Sequence, residues 1–530
     1  MPLSSPAPTQ QQIAEWIVAA AVMILSAAVL IALPMYHDHA IYWRGGELLL
    51  HGSKLSDDYL VKQPLIYVLY AIANLLFGYH EWSYRLLDAL IQTTTAAMLV
   101  LFGTRIGGST LGMTSGCIYA VTYSANGYVL AAHPESYVGI IVLLVTFLHA
   151  RQRPQWWHSV LEGALLAMLI WLKVTFALVA FGLLAFDIVE RQRSSTLYHR
   201  WLFIIFGMTI STGIGLALLY DRIEWSSLPA AIEYMRFYSS LPPIGTAAVA
   251  SAWHNVIRSA AEHYTMTLVM CGFLGWLILA RRNEPVIWLW AAVTCALVLS
   301  ILVERKFGVV HLWRLLPVLS VPIAAGVLDI WQHILALWKR SPAFARWTIA
   351  APLLAMGVAF SPVPRFIESL GIIVAAITDT ERYNAAFQRP AHNVLHRATL
   401  WKIAGVISTQ RKAGERVLVL SACTSQLYVF LREPIWNHFM TTLPMFATSV
   451  PERWRQLRDA DIRAADWLVV AKLDRAEWLF GHQRSSWESL RADSTLARYV
   501  DEHFVPTMET DIVTVLRRTV FVVSPSQHVK

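Results

Sequence analysis

Apolar residues run along this chain in blocks that are too long and too uniform for the half-buried helices of a soluble domain. A membrane crossing needs about 20 mostly apolar residues. Stretches that approach or reach this length lie at roughly 13–34, 84–104, 109–131, 136–150, 157–172, 174–190, 202–220, 261–280, 285–303, 312–336 and 347–362. They predict a mainly α polytopic membrane bundle of about eleven spans. Two of them, 136–150 and 157–172, are short and fit tilted or sheltered helices. The first is long enough to span and lacks a small-residue cleavage site, so it reads as a retained span.

The loops supply a test. Basic clusters fall at Arg105, at Arg151 and Arg153, at Arg191, Arg193 and Arg200, at Arg281 and Arg282, and at Lys339, Arg340 and Arg346. Two spans separate each cluster from the next, so all of them share one side, which the positive-inside rule makes cytoplasmic. An odd number of spans then puts the N-terminus inside and the C-terminus outside. The expected location is the inner (plasma) membrane. The long outer loops are 35–83 and 221–260. Within the first, Pro64 to Gly78 is apolar but short, and a span there would break the charge alternation. It reads as a helix lying along the outer surface.

Past residue 362 the pattern changes. Charges become frequent, and short apolar runs at 414–420, 467–470 and 511–516 read as buried strands. Residues 393–412 and 451–464 carry helical spacing. The expected organisation is a transmembrane domain over 1–362 and a small extracytoplasmic α/β domain over 363–530.

Composition agrees with a lipid-embedded chain. The 530 residues are 56% hydrophobic and 15% charged, and the mean hydropathy is +0.48. A soluble globular chain is nearer a quarter charged. The net charge of +8 is accounted for by the loops, and no basic-aromatic face suggests nucleic acid. Cys117, Cys271, Cys295 and Cys423 show neither metal-ligand spacing nor a disulfide framework.

Ionisable residues gather on the outer side. Asp38 lies between His37 and His39 where the first span ends. It suits a general base, a metal ligand or a helix cap. Lys62 precedes the surface helix and suits either a lipid phosphate or a snorkelling position. Glu135 follows His133 and Pro134 at the start of a span, where it suits a helix dipole or a closed cavity. Lys173 interrupts about thirty apolar residues, an expensive placement that a phosphate would offset. Arg305 and Lys306, in the stretch Glu304 to Arg314, run against the positive-inside trend and call for an anionic partner. Several cations and two carboxylates on one face suit a lipid-phosphate-sugar donor. Cations hold the leaving phosphate and a carboxylate deprotonates the acceptor.

These residues also stand in a familiar order. Asp38-His-Ala-Ile-Tyr42 running to Gly52, Lys62-Gln-Pro-Leu-Ile-Tyr67 with Leu76-Phe-Gly78, Tyr84-Arg85-Leu86, Trp171-Leu-Lys173, and Lys306-Phe-Gly-Val-Val-His311-Leu-Trp-Arg-Leu-Leu-Pro317 carry the likeness. The chain resembles the polytopic glycosyltransferases of the C-type fold, in the group of the protein O-mannosyltransferases and the lipid A aminoarabinose transferases. The resemblance covers most of 13–330. The tail, with Gly414 to Val419, Leu427 to Phe430 and Trp467 to Val470, also looks like that group's small terminal domain.

The resemblance implies a sugar moved from a polyprenyl-phosphate donor to an outer-face acceptor (lipid, glycan or protein), within surrounding membrane lipids. It implies Asp38 and Glu135 as the catalytic carboxylates. Lys62, Arg85, Lys173, Arg305, Lys306 and His311 match positions that face the donor phosphate, and His39, Tyr42 and His133 would line the cavity. The chain departs from the family at His39, where Glu is usual, and at Gln63-Pro64, where Pro-Pro is usual. The first departure weakens an acidic-pair metal site, although His is itself a ligand type. The resemblance implies no nucleotide sugar and establishes no cofactor, and a divalent metal stays open. The alternative is a transporter or a flippase for lipid-linked saccharides. It would need matched broken helices or an inverted repeat, and the chain shows neither.

Overall fold

The structure, a computed structural model, describes residues 10–519 apart from 57–61, 152–154, 192–195, 241–264, 305–308, 341, 343–346, 349–350, 360, 388–396, 422–423, 435, 440–442, 449 and 476–481. The N-terminal helices are α1 (Gln10–Ala32), α2 (His37–Leu50), α3 (Pro64–Phe77), α4 (Ser83–Gly107), α5 (Ser109–Ala125), α6 (Pro134–His149), α7 (Trp156–Leu172), α8 (Leu178–Arg191) and α9 (Thr196–Leu219). Later long helices are Thr265–Ala280, Pro285–Glu304 and Leu316–Arg340. Among the described residues, five helices are long and apolar enough to cross a membrane: Gln12–Ala32, Ser83–Gly107, Tyr198–Arg222, Pro285–Glu304 and Val310–Arg340. Shorter apolar helices include Pro134–His149 and Trp156–Leu172, the two runs that are short in sequence. Large apolar side chains such as Ile17, Ile24, Ile205 and Leu218 face outward, a surface suited to lipid tails.

Glycine sets how closely helices approach. A Cβ on Gly163 of α7 would stand 2.0 Å from the Ile204 carbonyl oxygen of α9, and one on Gly207 would stand 2.1 Å from that of Val160. Gly275 and Gly326 play the same reciprocal part between Thr265–Ala280 and Leu316–Arg340. Lipid supplies little hydrophobic drive between helices, so backbone contact at small residues takes its place.

Arg105, Arg151, Arg200 and Arg282, one from each of four basic clusters, meet at one end of the bundle. Arg282 donates to the Ile106 carbonyl at 2.6 Å. Arg105 and Arg151 both lie over the Phe147 ring, at 4.6 and 5.3 Å. Arg200 donates to the His149 carbonyl at 3.1 Å.

The run at 347–362 is represented by a nine-residue helix, Ala351–Ala359. The next helix, Val363–Thr378, is itself apolar and packs Phe366, with Leu370 and Ile373, against Val29 of α1 and Ala125 of α5. Bundle packing therefore continues past 362.

The C-terminal unit holds a four-stranded sheet: β1 (Val417–Leu420), β2 (Trp467–Ala471), β3 (Phe504–Glu509) and β4 (Val513–Arg518). The strand order is β1-β2-β4-β3. β1 and β2 are parallel, with Val417 opposite Trp467, and β4 runs antiparallel to both β2 and β3. Every residue of β1 and β2 is buried, which is why both read as continuous apolar runs. Leu427 to Phe430 lies in a short helix, Gln426–Phe430. The unit sits at the α2 end of the bundle. Arg44 of α2, itself buried, donates to the Glu433 carbonyl at 2.7 Å and lies 4.7 Å from the Tyr428 ring centroid. Arg397 grips Glu81 with both terminal nitrogens, and the Tyr383 hydroxyl donates to the Ala32 carbonyl at 2.8 Å.

Candidate active site

Asp38 is the second residue of α2, and its side chain is 30% exposed. The α1–α2 connection ends in Pro34-Met-Tyr36, and extended Tyr36 caps α2, so Asp38 emerges in the first turn beside the helix amides. His37 Nε2 lies 3.3 Å from one of its oxygens and His133 Nδ1 lies 3.9 Å from the other. Burial pushes the carboxyl up, but His37 and, less strongly, His133 and Lys62 outweigh it and hold the group well below the usual carboxylate range. Asp38 is therefore ionised at neutral pH. Among the described residues, Lys62 makes no ion pair and remains the cation without a fixed partner near Asp38.

His133 caps α6 and lies within electrostatic reach of both Asp38 and Glu135. Its Nε2–H donates to the Val129 carbonyl at 3.0 Å. Burial lowers its pKa despite the two carboxylates. The preceding residue, Ala132, has φ of +61°, a strained value for a residue with a Cβ, costing of order 1–3 kcal/mol. Two tyrosines hold it there. Tyr70 donates to the Ala132 carbonyl at 3.0 Å, and the Ala132 amide donates to the Tyr123 hydroxyl at 3.0 Å. Nothing local in the sequence marks this position.

His39 is withdrawn from solvent. It is fully buried, donates through Nε2–H to the Ala131 carbonyl at 2.7 Å, and accepts from the Tyr36 amide at Nδ1, 3.0 Å. Burial and the nearby Arg85 hold its pKa well below the usual histidine range. Its role is to fasten the turn before α6 to α2. Tyr42 is likewise buried, edge-on to Tyr70 and His133 at 5.6 and 6.0 Å. Burial first, then Asp38 and Glu135, push its hydroxyl pKa well above the ordinary range. Arg85 is completely buried and donates to the Pro34 and Tyr128 carbonyls at 2.5 and 3.2 Å. Its distance from solvent argues against direct contact with a donor phosphate.

Glu135 belongs to a second, denser group. It contacts Lys173 Nζ, His311 Nδ1 at 2.9 Å and Arg314 at 3.3 Å. Glu304 lies 2.8 Å from Lys173 Nζ and takes both Arg314 nitrogens at 2.7 and 2.9 Å. This bidentate geometry is the strong form of the arginine–carboxylate pair. Lys173 is thus already neutralised. Glu304 and Arg314 carry no site motif of their own in the sequence. Their signal was present as charges at both ends of one outer stretch, but the pairing with residues more than 130 positions away was not. Arg305 and Lys306 lie outside the described residues.

Glu135, Glu304 and His311 each offer a ligand atom, all within 4.8 Å of one another. The same carboxylate oxygens already receive Lys173 and Arg314. A divalent cation would have to displace both, so this set does not fit a resident metal, and no step below depends on one.

Residues 61–214 match the family model of dolichyl-phosphate-mannose-protein mannosyltransferase. No curated protein matches the chain by sequence. The solved structure of ArnT from Cupriavidus metallidurans bound to undecaprenyl phosphate superposes with a TM-score of 0.57 at 14% identity, covering 96% of this chain and 99% of that one. The apo form of the same protein gives 0.52 at 15% identity, over 94% and 97%. An oligosaccharyltransferase from Archaeoglobus fulgidus, in complex with Zn and sulfate, gives 0.49 at 12% identity, over 89% and 70%. The ArnT likeness shows a shared fold along the chain, in agreement with the resemblance read from the ordered motifs. With the family match over 61–214, that fold marks the protein as a multi-pass membrane glycosyltransferase of the C-type fold.

Proposed function

We propose that the protein moves a sugar from a polyprenyl-phosphate-linked donor to an acceptor on the outer face of the membrane, with Asp38 as the base. The observation that carries this reading is a partly exposed, ionised carboxylate within electrostatic reach of Lys62, which makes no ion pair among the described residues. The acceptor hydroxyl gives its proton to Asp38 while its oxygen bonds to the anomeric carbon. The bond from that carbon to the phosphate oxygen breaks, and its electron pair stays on the phosphate, where Lys62 meets the charge. Phosphate at Lys62 would also relieve one of the cations that depress Asp38, making it a stronger base once donor is bound. Glu135, locked by Lys173, His311 and Arg314, acts through His133 as a positioning group.

The gathering of Arg105, Arg151, Arg200 and Arg282 supports an inside N-terminus, and the C-terminal unit at the Asp38 end is then extracytoplasmic. The ArnT complex with undecaprenyl phosphate supports the donor class. The test uses purified protein in liposomes with a polyprenyl-phosphate sugar and membrane acceptors, following release of free polyprenyl phosphate. Wild type should release it, and Lys62→Ala should need more donor for half-maximal rate. Absence of release with every acceptor preparation would overturn the reading.

A further inference from the structure

Asp88, in the second turn of α4, is a fully buried carboxyl that the transfer step does not use. Such a group inside a bundle is costly unless its hydrogen bonds are made. Two side chains make them. Gln92 Nε2 donates to Asp88 Oδ1 at 2.8 Å, and the Tyr123 hydroxyl donates to the same oxygen at 3.0 Å. Arg85 lies one turn earlier and within electrostatic reach, but it forms no ion pair with Asp88. Its Nη2 goes to the Pro34 and Tyr128 carbonyls instead. A counter-charge role for Arg85 therefore leaves the aim of Asp88 at Tyr123 unexplained.

A phenol carries one proton. With that proton given to Asp88, the Tyr123 oxygen turns its lone pairs to the Ala132 amide, 3.0 Å away. Donation to a carboxyl also makes the phenol oxygen a better acceptor. Ala132, at φ of +61°, stands directly before His133. If its amide were released, the residue would relax toward the negative φ that a Cβ favours. The peptide planes on either side would turn and carry His133 away from Asp38, which it meets at 3.9 Å. Gln92 braces the far side of the same turn. Its Nε2 also reaches the Ser136 carbonyl at 3.3 Å, and the Tyr119 hydroxyl donates to its Oε1.

We propose that Asp88 is a positioning residue for transfer: it acts through Tyr123 to hold Ala132, and so sets His133 against Asp38. The inference rests on the transfer reading above and deepens it.

Full-length protein in liposomes tests it, with release of polyprenyl phosphate and hydrogen–deuterium exchange as separate readouts, rates being normalised to folded protein. Tyr123→Phe keeps the ring and removes the relay. It should lower kcat by about 10–100-fold, up to the cost of a misplacement of about 1 Å, and leave the donor concentration for half-maximal rate unchanged. Amide exchange from Gly127 to His133 should quicken. Asp88→Leu should act likewise, and adding it to Tyr123→Phe should cost nothing further. Asp88→Asn keeps an oxygen acceptor and should retain most of the rate. Wild-type kcat in folded Tyr123→Phe would overturn the proposal, and that variant decides it even where Asp88→Leu does not fold. Asp88→Asn as slow as Asp88→Leu would overturn it too, by making charge the requirement in place of the acceptor. So would losses that multiply fully in the double variant. Undiminished transfer by Asp38→Asn would fault the base assignment alone, and the exchange pattern with the Asp88–Tyr123 coupling would still decide the positioning.

Discussion

Lys173 Nζ sits between two buried carboxylates, 2.8 Å from Glu304 and in direct contact with Glu135. This arrangement turns the lysine from a phosphate ligand into a structural counter-charge. Removing one partner of a buried ion pair typically costs about 3–5 kcal/mol, because the other charge is left uncompensated. Lys173→Met should therefore lower folded yield and thermal midpoint sharply. Adding Glu304→Gln should recover part of the loss, a coupling that a double-mutant cycle measures. A well-folded Lys173→Met whose only defect is weaker donor binding would contradict this assignment.

Asp38→Asn should reduce transfer by about 10²–10⁴-fold, the usual contribution of a positioned base. The side chain is partly exposed, and its nearest ionisable neighbours are His37, His133 and Lys62. The thermal midpoint should therefore change much less than for Lys173→Met. Single-turnover rates and unfolding curves on the same preparation separate the two effects.

Stability should rise with pH through the acid side of neutrality. His39 and His133 both have pKa values below the usual histidine range, with burial as the leading cause. Between those lowered values and about 6.5, the unfolded chain binds more protons than the folded one, so unfolding becomes harder as pH increases. His39→Gln can keep the bonds to Ala131 and Tyr36 without titrating. Its thermal midpoint should depend less steeply on pH between about 5 and 7. An unchanged slope would contradict the buried neutral state of His39.

A third ionic group ties the other end of the bundle. His149 Nδ1 lies 2.6 Å from Glu162 and its Nε2 lies 3.2 Å from Asp187, while Arg200 reaches Glu162 at 2.9 Å. All four are buried, and they join α6, α7, α8 and α9. Arg200→Leu should destabilise the protein by about 3–5 kcal/mol. Donor affinity of the fraction that folds should be unchanged, because this group stands among the basic clusters and away from Asp38. A donor-binding defect in that fraction would show that the two ends are coupled.

The sequence made the long spans legible because lipid demands uniform apolar runs, and Asp38 because it is charged where such a run ends. β1 and β2 were readable for the same reason, being buried throughout. β3 was not, because Val505 and Pro506 are exposed, the strand pairs only with β4 and its register shifts at Pro506. Leu427 to Phe430 has strand-like composition, yet helix packing won over propensity there. The roles of Lys173 and His39 could not be read locally. Whether a charge is free or paired depends on contacts such as Lys173 with Glu304 and His39 with Ala131, which only the folded chain creates.

The central claim is a lipid-phosphate-linked donor held beside Asp38. Mass spectrometry of lipids that co-purify in mild detergent tests it most directly, comparing wild type with Lys62→Ala. The account predicts a polyprenyl phosphate or its monoglycosyl ester with the wild type, depleted in the variant. Bulk phospholipid alone, identical in both preparations, would contradict it.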